Sequence, residues 1–369
     1  MVERITWPQA LAWRMRRHLL DPIGTETVEG VVRRLGGVQA QVASSAELAI
    51  RLRRQRSVAG EVARALAGGR VIKTWAMRGA LHLLTPEEGG DVLAILAAGR
   101  GWEKPSWDRY FDMTPRRWGL LQDAVRDALA DGPLTRQELG AVVAVGPQLG
   151  HLLEHFDSSW GTILKPLAFQ GDLSIGPMRD GRATFQRLDA NPRWTRLPGP
   201  DEAGIRVLET YFRAYGPATV ENAYRWLGVA KRRVVAWLDA LQERLVAVDV
   251  DGERALLLGD DLAGLAATQA TAVVRLLPGF DQWVLGPGTL DGHVVPPGRR
   301  SQVSRQAGWI APIVVAGGVV TGTWARTDDQ LTVAWFAEAG PVPRRALAEE
   351  GERLATILNR PLQPAIRTV

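Results

Sequence analysis

Two glutamines, Gln39 and Gln41, have residue types and a spacing that could do chemistry together. They lie two residues apart and directly follow the pair Gly36-Gly37. On a regular helix such positions point roughly 200° apart, whereas an extended or turning segment, which paired glycines favour, lets them face one target. Two fixed amide carbonyls can orient a water molecule and present negative dipole ends to a developing cation. The alternative interpretation is a pair of surface amides near a helix start.

The histidines are a second set of candidates. His151 and His155 are four residues apart beside Glu154, a spacing that can place two metal ligands on one helix face, but no third ligand is evident. A packed or capped helix end is the alternative. His82 lies in the apolar run Leu81–Leu84, and we interpret it as a strand histidine that is hydrogen-bonded inside the fold. The remaining histidines, His18 and His293, carry no clear signal.

Several classes of chemistry are excluded by what the sequence lacks. With no cysteine, disulfides, thiolate zinc sites and cysteine nucleophiles cannot occur, and metal ligation is left to histidine and carboxylate. The sequence also contains no GxGxxG dinucleotide turn, no GxxxxGK(S/T) phosphate loop, no GxSxG elbow and no HExxH zinc helix. Many metabolic enzyme classes are thereby removed.

The balance of charge suits a polyanionic partner. The 369 residues include 45 Lys and Arg against 40 Asp and Glu, and the net charge is +5. Arginine dominates, and its fork matches phosphate geometry, although a GC-rich genome also enriches arginine. The candidate phosphate-contacting residues are Arg51, Arg53, Arg54, Lys73, Arg78, Lys231, Arg232, Arg233, Arg299, Arg300 and Arg305, with Arg14, Arg16 and Arg17 on the first helix. The segment containing Arg299 to Arg305 is predicted to be a flexible basic loop, and a solvated surface charge is the alternative for each residue.

Besides lysine and arginine, tryptophan is a candidate for contact with a nucleic acid, because its ring can stack on bases. For each of the tryptophans considered, core packing is the default interpretation. These residues are Trp75, Trp102, Trp107 and Trp309.

A winged helix is predicted in the second half of the chain, where it would position several of the basic residues. Apolar residues at helical spacing over Ile205–Phe212 predict a first helix that ends at Gly216-Pro217. Thr219 is predicted to cap a second helix. A third helix, with its apolar face over Val234–Leu241, would carry Lys231 to Arg233 on its other face. An Asp-Gly turn within Leu245–Leu258 predicts the closing hairpin.

Two earlier segments repeat this order of elements. One is predicted to contain a helix over Trp118–Leu129, a helix capped by Thr135 with Glu138 three residues on, and a helix near Trp160–Phe169. Strands on either side of Asp180-Gly181 would close it. The other contains the two glutamines and is predicted to have helices near Pro8–His18, Val28–Leu35 and Ser44–Arg53, with a wing over Val71–Thr74 and Ala80–Leu84.

The predicted fold class is therefore α+β. Three related units at irregular spacing predict tandem winged helices rather than a solenoid, which would show a stricter period. The C-terminal portion is predicted to mix strands with a final helix over Pro343–Leu358. The predicted domains are 1–110, 111–200 and 201–262 for the winged-helix units and 263–369 for the strand-rich α/β portion.

Four segments occur in order along the chain: Leu35–Gln41, Lys73–Leu83, Leu277–Asp281 and Gly308–Pro312. Together they resemble the AlkZ/YcaQ family of bacterial DNA glycosylases over nearly the whole chain. The family's catalytic signature is Gln, an apolar residue, then Gln or Asp, and Gln39-Ala40-Gln41 matches the form that ends in Gln. The resemblance implies tandem winged helices that form a C-shaped DNA-binding channel. It also implies excision of N7-alkylated purines, including interstrand crosslinks, in DNA repair or self-resistance to natural-product alkylators.

The resemblance agrees with the chemistry that two amides can perform. Ordinary glycoside cleavage needs a carboxylic acid to protonate the leaving group. An N7-alkylated base already carries a positive charge and departs neutral, so we assign Gln39 and Gln41 jointly to positioning the attacking water. Such an enzyme is expected to act on cationic lesions and poorly on neutral damaged bases. Neither a metal nor a nucleotide cofactor is expected.

Two alternatives stay open at this point. One is a non-enzymatic winged-helix transcription regulator, for which tandem units and basic faces are equally expected. The other is a family member that binds alkylated DNA without hydrolysing it. No apolar run reaches the roughly 18 to 20 residues of a membrane span, and no signal-peptide stretch is evident. We expect a cytoplasmic, monofunctional, monomeric enzyme whose partner is double-stranded DNA containing alkylated purines.

Overall fold

The structure, a computed structural model, describes residues 3–158 and 161–369. Contacts group the chain into two compact units: unit 1 is Met1–Val62 with Leu208–Val369, and unit 2 is Ala63–Val207. These units are groupings by contact, so the four domains predicted from the sequence stay a prediction. Among the described residues, no helix has both the length and the apolar character needed to cross a membrane.

Helices and predominantly antiparallel strands both contribute to the fold. The first part of the chain contains β1 (Arg4–Ile5), α1 (Trp7–Arg17), α2 (Val28–Arg34), β2 (Val38–Gln39), α3 (Ala43–Arg51) and α4 (Glu61–Ala67). The middle part contains β3 (Ile72–Trp75), β4 (Leu81–Leu84), α5 (Pro86–Ala98), α6 (Pro105–Phe111), α7 (Pro115–Ala128), β5 (Leu134–Thr135), α8 (Arg136–Val143), α9 (Leu153–Ser158), α10 (Lys165–Phe169), β6 (Leu173–Ile175) and β7 (Thr184–Arg187). The last part contains α11 (Pro200–Tyr215), α12 (Val220–Leu227), α13 (Lys231–Leu241), β8 (Leu245–Val250), β9 (Glu253–Leu258), α14 (Leu262–Ala266), β10 (Val274–Leu277), α15 (Gln282–Leu285), α16 (Arg300–Val303), β11 (Ile313–Ala316), β12 (Val319–Thr327), β13 (Gln330–Trp335), α17 (Arg344–Leu358) and β14 (Gln363–Thr368).

In unit 1, the predicted hairpin of β8 and β9 is confirmed and is extended by the N-terminal strand. β1 pairs in parallel with β8, with Ile5 opposite Val250. Asp251 and Gly252 have φ of 49° and 90°, the left-handed conformations that an Asp-Gly hairpin turn uses. The Asp251 carboxylate accepts a hydrogen bond from the backbone N–H of Trp7 at 2.8 Å. The start of α1 is therefore tied to this turn.

The three helices before this hairpin also follow the prediction. Thr219 and Asn222 form a capping box at the start of α12, and Gly228, with φ of 74°, ends the helix. The ring of Tyr211 on α11 packs 5.0 Å from that of Trp226 on α12. Aromatic packing therefore joins the first two helices, both of which also contain basic residues.

A second sheet in unit 1 contains the C-terminal strands in the order β10-β11-β12-β13-β14. All neighbours are antiparallel except β13 and β14, which α17 connects. Apolar residues of α17, such as Leu347 and Leu354, pack with Val333 of the sheet. Glu350 on the same helix is buried but accepts hydrogen bonds from Arg353 and from the N–H of Leu276, so its carboxylate is satisfied. The final helix is confirmed, as are the strands that the sequence predicts at Val273–Leu277, Ile313–Val315, Val319–Thr323 and Leu331–Phe336, whereas β14 was not predicted.

The strands of unit 2 follow the order β4-β3-β6-β7-β5. Thr135 and Glu138 form the predicted capping box at the start of α8. The predicted helix near Trp160–Phe169 is shorter than expected, since α10 begins at Lys165, and Trp160 itself lies outside the described residues. Gly161 has φ of 73°, which no helical residue adopts, and Pro166 suits the first helical turn.

Candidate active site

Gln39 and Gln41 lie on extended or turning backbone between α2 and α3, as predicted. Gln39 is on β2, and Gln41 is in the bend before α3. Gly36 and Gly37 have φ of 64° and 109°, which glycine adopts without a steric penalty. A Cβ at Gly36 would also lie 3.4 Å from the Trp226 ring. The glycine pair therefore permits both the turn and its close packing.

The two amides are accessible to different degrees. Gln39 is 8% exposed and Gln41 is exposed, whereas Ala40 between them is 1% exposed. In an extended chain, residues i and i+2 lie on the same face, and this is the spacing of Gln39 and Gln41. Among the residues that the structure describes, neither glutamine side chain is engaged in a hydrogen bond. Both amides are therefore available to a ligand or a water molecule.

Tyr215, at the end of α11, holds the backbone just before the glycine pair. Its hydroxyl donates to the carbonyl oxygen of Leu35 at 2.7 Å, and the side-chain amide of Gln282 lies 3.3 Å from the same hydroxyl. A phenol has one hydrogen, so an orientation in which Gln282 Nε2 donates to the Tyr215 oxygen satisfies all three groups. A Cβ at Gly286 would lie 1.8 Å from the Tyr215 ring, so glycine there makes room for it. Sequence reasoning assigned no role to these residues.

Arg53 lies just after α3 and does not reach solvent. It is 0% exposed, and its guanidinium donates to the Asp281 carboxylate at 2.7 and 2.8 Å and to the Ala49 carbonyl at 2.8 Å. Asp281 also accepts a hydrogen bond from the Trp283 N–H. The prediction that Arg53 contacts phosphate is therefore wrong, because burial and the ion pair occupy its guanidinium. Removing either partner would leave an uncompensated buried charge.

Arg14 on α1 is also buried and is not available to a phosphate. It is 1% exposed and donates to the carbonyl oxygens of Tyr215 and Pro217 at 3.1 Å. A cation in this position complements the negative C-terminal end of α11. Burial lowers the pKa of the adjacent His18 well below its usual value, and Arg53 and Arg14 lower it further through charge repulsion. His18 is therefore neutral in the fold.

Arg51 and Arg54, the other basic residues near the glutamines, are half-buried and already engaged with protein groups. Arg51 donates to the carbonyl of Ile357 and lies 3.4 Å from the Ser57 hydroxyl. Arg54 pairs with Glu61 and donates to a backbone carbonyl at 2.7 Å. Their contact with phosphate stays a prediction.

The basic residues of α13 lie in its first turn. Lys231 and Arg232 are exposed, and the Arg233 guanidinium lies 5.0 Å from the ring centre of Trp237. Lys231 is 3.9 Å from the Glu221 carboxylate. Positive side chains at a helix N-terminus oppose the helix dipole, which favours an anion at that end. This placement fits a phosphate group beside α13, and the contact itself stays a prediction.

The segment containing Arg299, Arg300 and Arg305 is not the flexible loop that was predicted. Pro297–Arg299 form a 3-10 turn that leads into α16, and proline suits the first turn of a helix. Arg299 forms an ion pair with Glu338 at 2.7 Å, and its hydrogen bond lowers the pKa of Glu338 to about 2. Arg300 and Arg305 remain exposed.

In unit 2, the two predicted contact residues lie on one hairpin. Lys73 is half-buried on β3, where burial lowers its pKa, and Arg78 is exposed at the turn with φ of 56°. His82 on β4 is fully buried, and its Nδ1 donates to the Ala80 carbonyl at 2.9 Å. Burial lowers the pKa of His82 to about 3. Its interpretation as a hydrogen-bonded strand histidine is confirmed.

The other two histidines of unit 2 pack at a helix end. Nε2 of His151 lies 3.1 Å from the carbonyl oxygen of Phe111, and the His155 ring lies 4.8 Å from the Phe111 ring. Burial lowers the pKa of His155. The contacts therefore favour the packed helix end over a metal pair.

The tryptophans divide into two groups. Trp75 and Trp102 are 5% and 7% exposed, and Trp107 packs against the same core of unit 2. In contrast, Trp309 in unit 1 is 48% exposed and meets the Phe280 ring edge-on at 5.0 Å. The default of core packing is confirmed for the first three and is wrong for Trp309.

Comparisons with known proteins agree over nearly the entire length. A family model described as DNA glycosylase AlkZ-like matches residues 32–357. A Streptomyces sahachiroi protein named interstrand DNA cross-link repair glycosylase is 42% identical over 358 residues, which are 95% of this chain and 96% of that protein. The solved structure of Streptomyces sahachiroi DNA glycosylase AlkZ is 40% identical, with a TM-score of 0.94 over 99% of this chain and 100% of that one.

Proposed function

Since the chain belongs to the AlkZ-like family of DNA glycosylases, we propose that it hydrolyses the N-glycosidic bond of N7-alkylated purines in double-stranded DNA. The proposal includes bulky adducts and interstrand crosslinks, since a 42% identical relative is named a cross-link repair glycosylase. The observation that carries it is the pair of uncommitted amides of Gln39 and Gln41 on an extended segment. A transcription regulator would have no use for such a pair.

The leaving group determines what the protein must supply. Alkylation at N7 places a positive charge on the purine, so the C1′–N9 bond can break with its electron pair moving to N9. The base then departs neutral, without the general acid that glycoside hydrolysis otherwise requires. What remains is to place a water molecule next to C1′ and to stabilise the sugar cation.

Gln39 and Gln41 can perform both remaining tasks. Their carbonyl oxygens accept the hydrogens of one water molecule and direct its lone pair towards C1′. The same carbonyl dipoles stabilise the positive charge that develops on the sugar. The water oxygen bonds to C1′, and the released proton passes to solvent. Neither amide is a strong base, so lesions without a positive charge should react poorly.

For binding, we propose that tandem winged-helix units form a DNA-binding channel. The helix order α11, α12, α13 followed by the β8–β9 hairpin supports one such unit, and the basic first turn of α13 supports DNA contact. The exposed cations Arg78, Arg300 and Arg305 are further candidates for phosphate contact. We propose that the enzyme acts as a monomer and needs no nucleotide cofactor.

The experiment is single-turnover release of 7-methylguanine from a labelled duplex, with DNA binding measured in parallel. The variant carries Gln39→Ala and Gln41→Ala, and the matched control is Gln330→Ala, an exposed glutamine of the same unit. We expect release by the wild type and the control. The double variant should react about 100-fold more slowly, the effect typical of losing a positioned polar group, while it binds DNA equally well.

A second substrate separates the remaining outcomes. If the wild type binds the methylated duplex without releasing base, the assay is repeated with an interstrand-crosslinked duplex. Release from the crosslink alone would uphold the activity and restrict its substrates. No release from either duplex, with binding retained, would refute a glycosylase and support a DNA-binding protein. Equal rates for the double variant and the wild type would refute the role of the amides.

A further inference from the structure

Trp309 presents an indole ring on the surface of unit 1. Its exposure of 48% contrasts with Trp226, Trp283 and Trp335 of the same unit, each 2% exposed or less. Burying an aromatic ring is favourable, so an exposed tryptophan leaves a large stacking surface open to a ligand. The segment Gly308–Pro312 belongs to the resemblance described above, and the core packing expected for this ring is not what the structure shows.

The backbone around Trp309 is fixed by its own hydrogen bonds. The Arg305 N–H donates to the Trp309 carbonyl at 2.8 Å, and the Trp309 N–H donates to the Gln306 carbonyl at 3.2 Å. Ala307 and Gly308 have φ of 55° and 74°, so the turn is tight. The edge-on contact with Phe280 supports the ring from the protein side. A ring held in this way loses little conformational freedom when a ligand binds.

The same core supports both Trp309 and the glutamine pair. Phe280 and Ile310 belong to one apolar cluster, and Val42, the residue after Gln41, packs against that cluster. Asp281, next to Phe280, holds Arg53 near the end of the helix that starts just after Gln41. The indole and the two amides are therefore positioned by a shared set of contacts within unit 1.

We propose that Trp309 is a specificity-determining residue that stacks on the cationic purine of the substrate. This inference rests on the proposed function. An N7-alkylated purine is both flat and positively charged, and indole is the side chain that best attracts a cation through its ring face. Stacking alone would accept any base, whereas the cation–π attraction favours the charged one. The exposed Arg305 in the same turn can neutralise a neighbouring phosphate.

The test compares two bases of nearly the same shape and different charge. One duplex carries 7-methylguanine on a 2′-fluoroarabinose, which is cationic and resists hydrolysis because fluorine destabilises the sugar cation. The other carries 7-methyl-7-deazaguanine, which is neutral. The Kd of each duplex is measured for the wild type, Trp309→Phe, Trp309→Leu and the control Leu290→Ala, which alters another exposed apolar residue of unit 1.

We expect the wild type and Leu290→Ala to prefer the cationic duplex by roughly 3- to 30-fold, the range that a cation–π contact supports. Trp309→Phe should keep part of this preference, because phenylalanine retains a flat ring. Trp309→Leu should bring the ratio close to one. Since the side chain is half-exposed, the variants should fold, which far-UV circular dichroism and thermal unfolding would establish.

The outcomes separate this inference from the proposed function. A full preference in Trp309→Leu, or no preference in the wild type, would overturn the role of Trp309, while release of 7-methylguanine by the wild type would still uphold the glycosylase. If the wild type releases no 7-methylguanine but its preference for the cationic duplex is lost in Trp309→Leu, the role of Trp309 would stand and the glycosylase activity would be refuted. The inference would also be overturned if the wild type sedimented as a dimer and Trp309→Leu as a monomer, since the indole would then contact a second copy.

Discussion

The Tyr215 hydroxyl holds the backbone just before the glycine pair, so its removal should lower the rate of base release more than the affinity for DNA. Tyr215→Phe keeps the ring that packs beside Gly286 and removes the hydrogen bond to Leu35. The freed carbonyl would loosen the glycine turn that places Gln39. We expect single-turnover release to slow by up to about 10-fold, the equivalent of one hydrogen bond, with DNA affinity unchanged.

Tyr211→Phe is a matched control for this prediction, because Tyr211 is one helical turn earlier and its hydroxyl contacts the Gly286 carbonyl at 3.4 Å rather than the backbone before the glycine pair. It should change the rate little. A purely structural role for Tyr215 would lower the thermal stability of Tyr215→Phe but leave its rate at 25 °C the same as that of the control.

At the scale of single residues, residue type and spacing predicted Gln39 and Gln41 as a candidate site, but not the residues that hold the surrounding backbone in place. Gln39 and Gln41 were recognisable because their signal lies within six residues of sequence. Arg53 was wrongly assigned to phosphate contact. Its ion-pair partner Asp281 is 228 residues away in the sequence, and no local pattern indicates such a contact. Trp309 and Trp75 likewise have the same side chain, and only packing distinguishes the exposed ring from the buried one.

Elements with their own start and stop signals were the best predicted. The caps at Thr135 and Thr219 and the turn at Asp251-Gly252 are encoded within a few neighbouring residues, and all are confirmed. Strand β1 was missed because two residues show no periodicity and are defined as a strand only by β8. Strand β14 was missed because it contains Pro364 and much of its length is exposed.

The β3–β4 hairpin should make stability depend on pH. The folded protein keeps His82 neutral down to about pH 3, while an unfolded histidine takes up a proton near pH 6.5. The unfolded chain therefore binds more protons between these values, and stability is full above about pH 6.5 and is lost as the pH falls. One histidine contributes up to about 1.4 kcal/mol per pH unit in this window.

Urea unfolding at pH 7 and pH 5 measures this dependence. Buried His18 acts in the same direction, so His82→Asn should reduce the slope without abolishing it. The same slope in His82→Asn and the wild type would show that His82 takes up its proton equally in both states.

At the scale of the whole molecule, charge should appear as a salt dependence of DNA binding. We expect the triple variant Lys231→Ala, Arg232→Ala, Arg233→Ala to bind duplex DNA more weakly. The slope of log K against log salt is negative, and its magnitude should fall by about 0.9 for each phosphate that the variant no longer neutralises. Fluorescence anisotropy between 50 and 200 mM salt, about the range in which such ion pairs change affinity most, measures this slope.

Arg345→Ala is the control for this experiment, because its side chain on α17 is 93% exposed and pairs with Glu349 one turn away in the same helix. That variant should leave both affinity and slope unchanged. A triple variant with the slope of the wild type would exclude α13 from the DNA interface.

The family, the glycosylase activity and the mixed fold class were all predictable from the sequence, because short segments in the right order carry the resemblance. How the chain is divided between its compact units was not. Unit 1 combines the first 62 residues with those from Leu208 onwards, and the local sequence pattern of neither part predicts that they pack together. Such long-range pairing follows from tertiary packing, which local propensity does not report.

This division has a consequence for synthesis on the ribosome. The segment with Gln39 and Gln41 emerges early, yet the residues that complete its core, such as Tyr215, Phe280 and Asp281, come roughly 200 residues later. At about 5–20 residues per second, the nascent N-terminal segment waits on the order of 10–50 s for its partners. Unit 2, made from one continuous stretch, can fold in the meantime. Gln39 and Gln41 are thus among the first residues translated and among the last to reach their folded geometry.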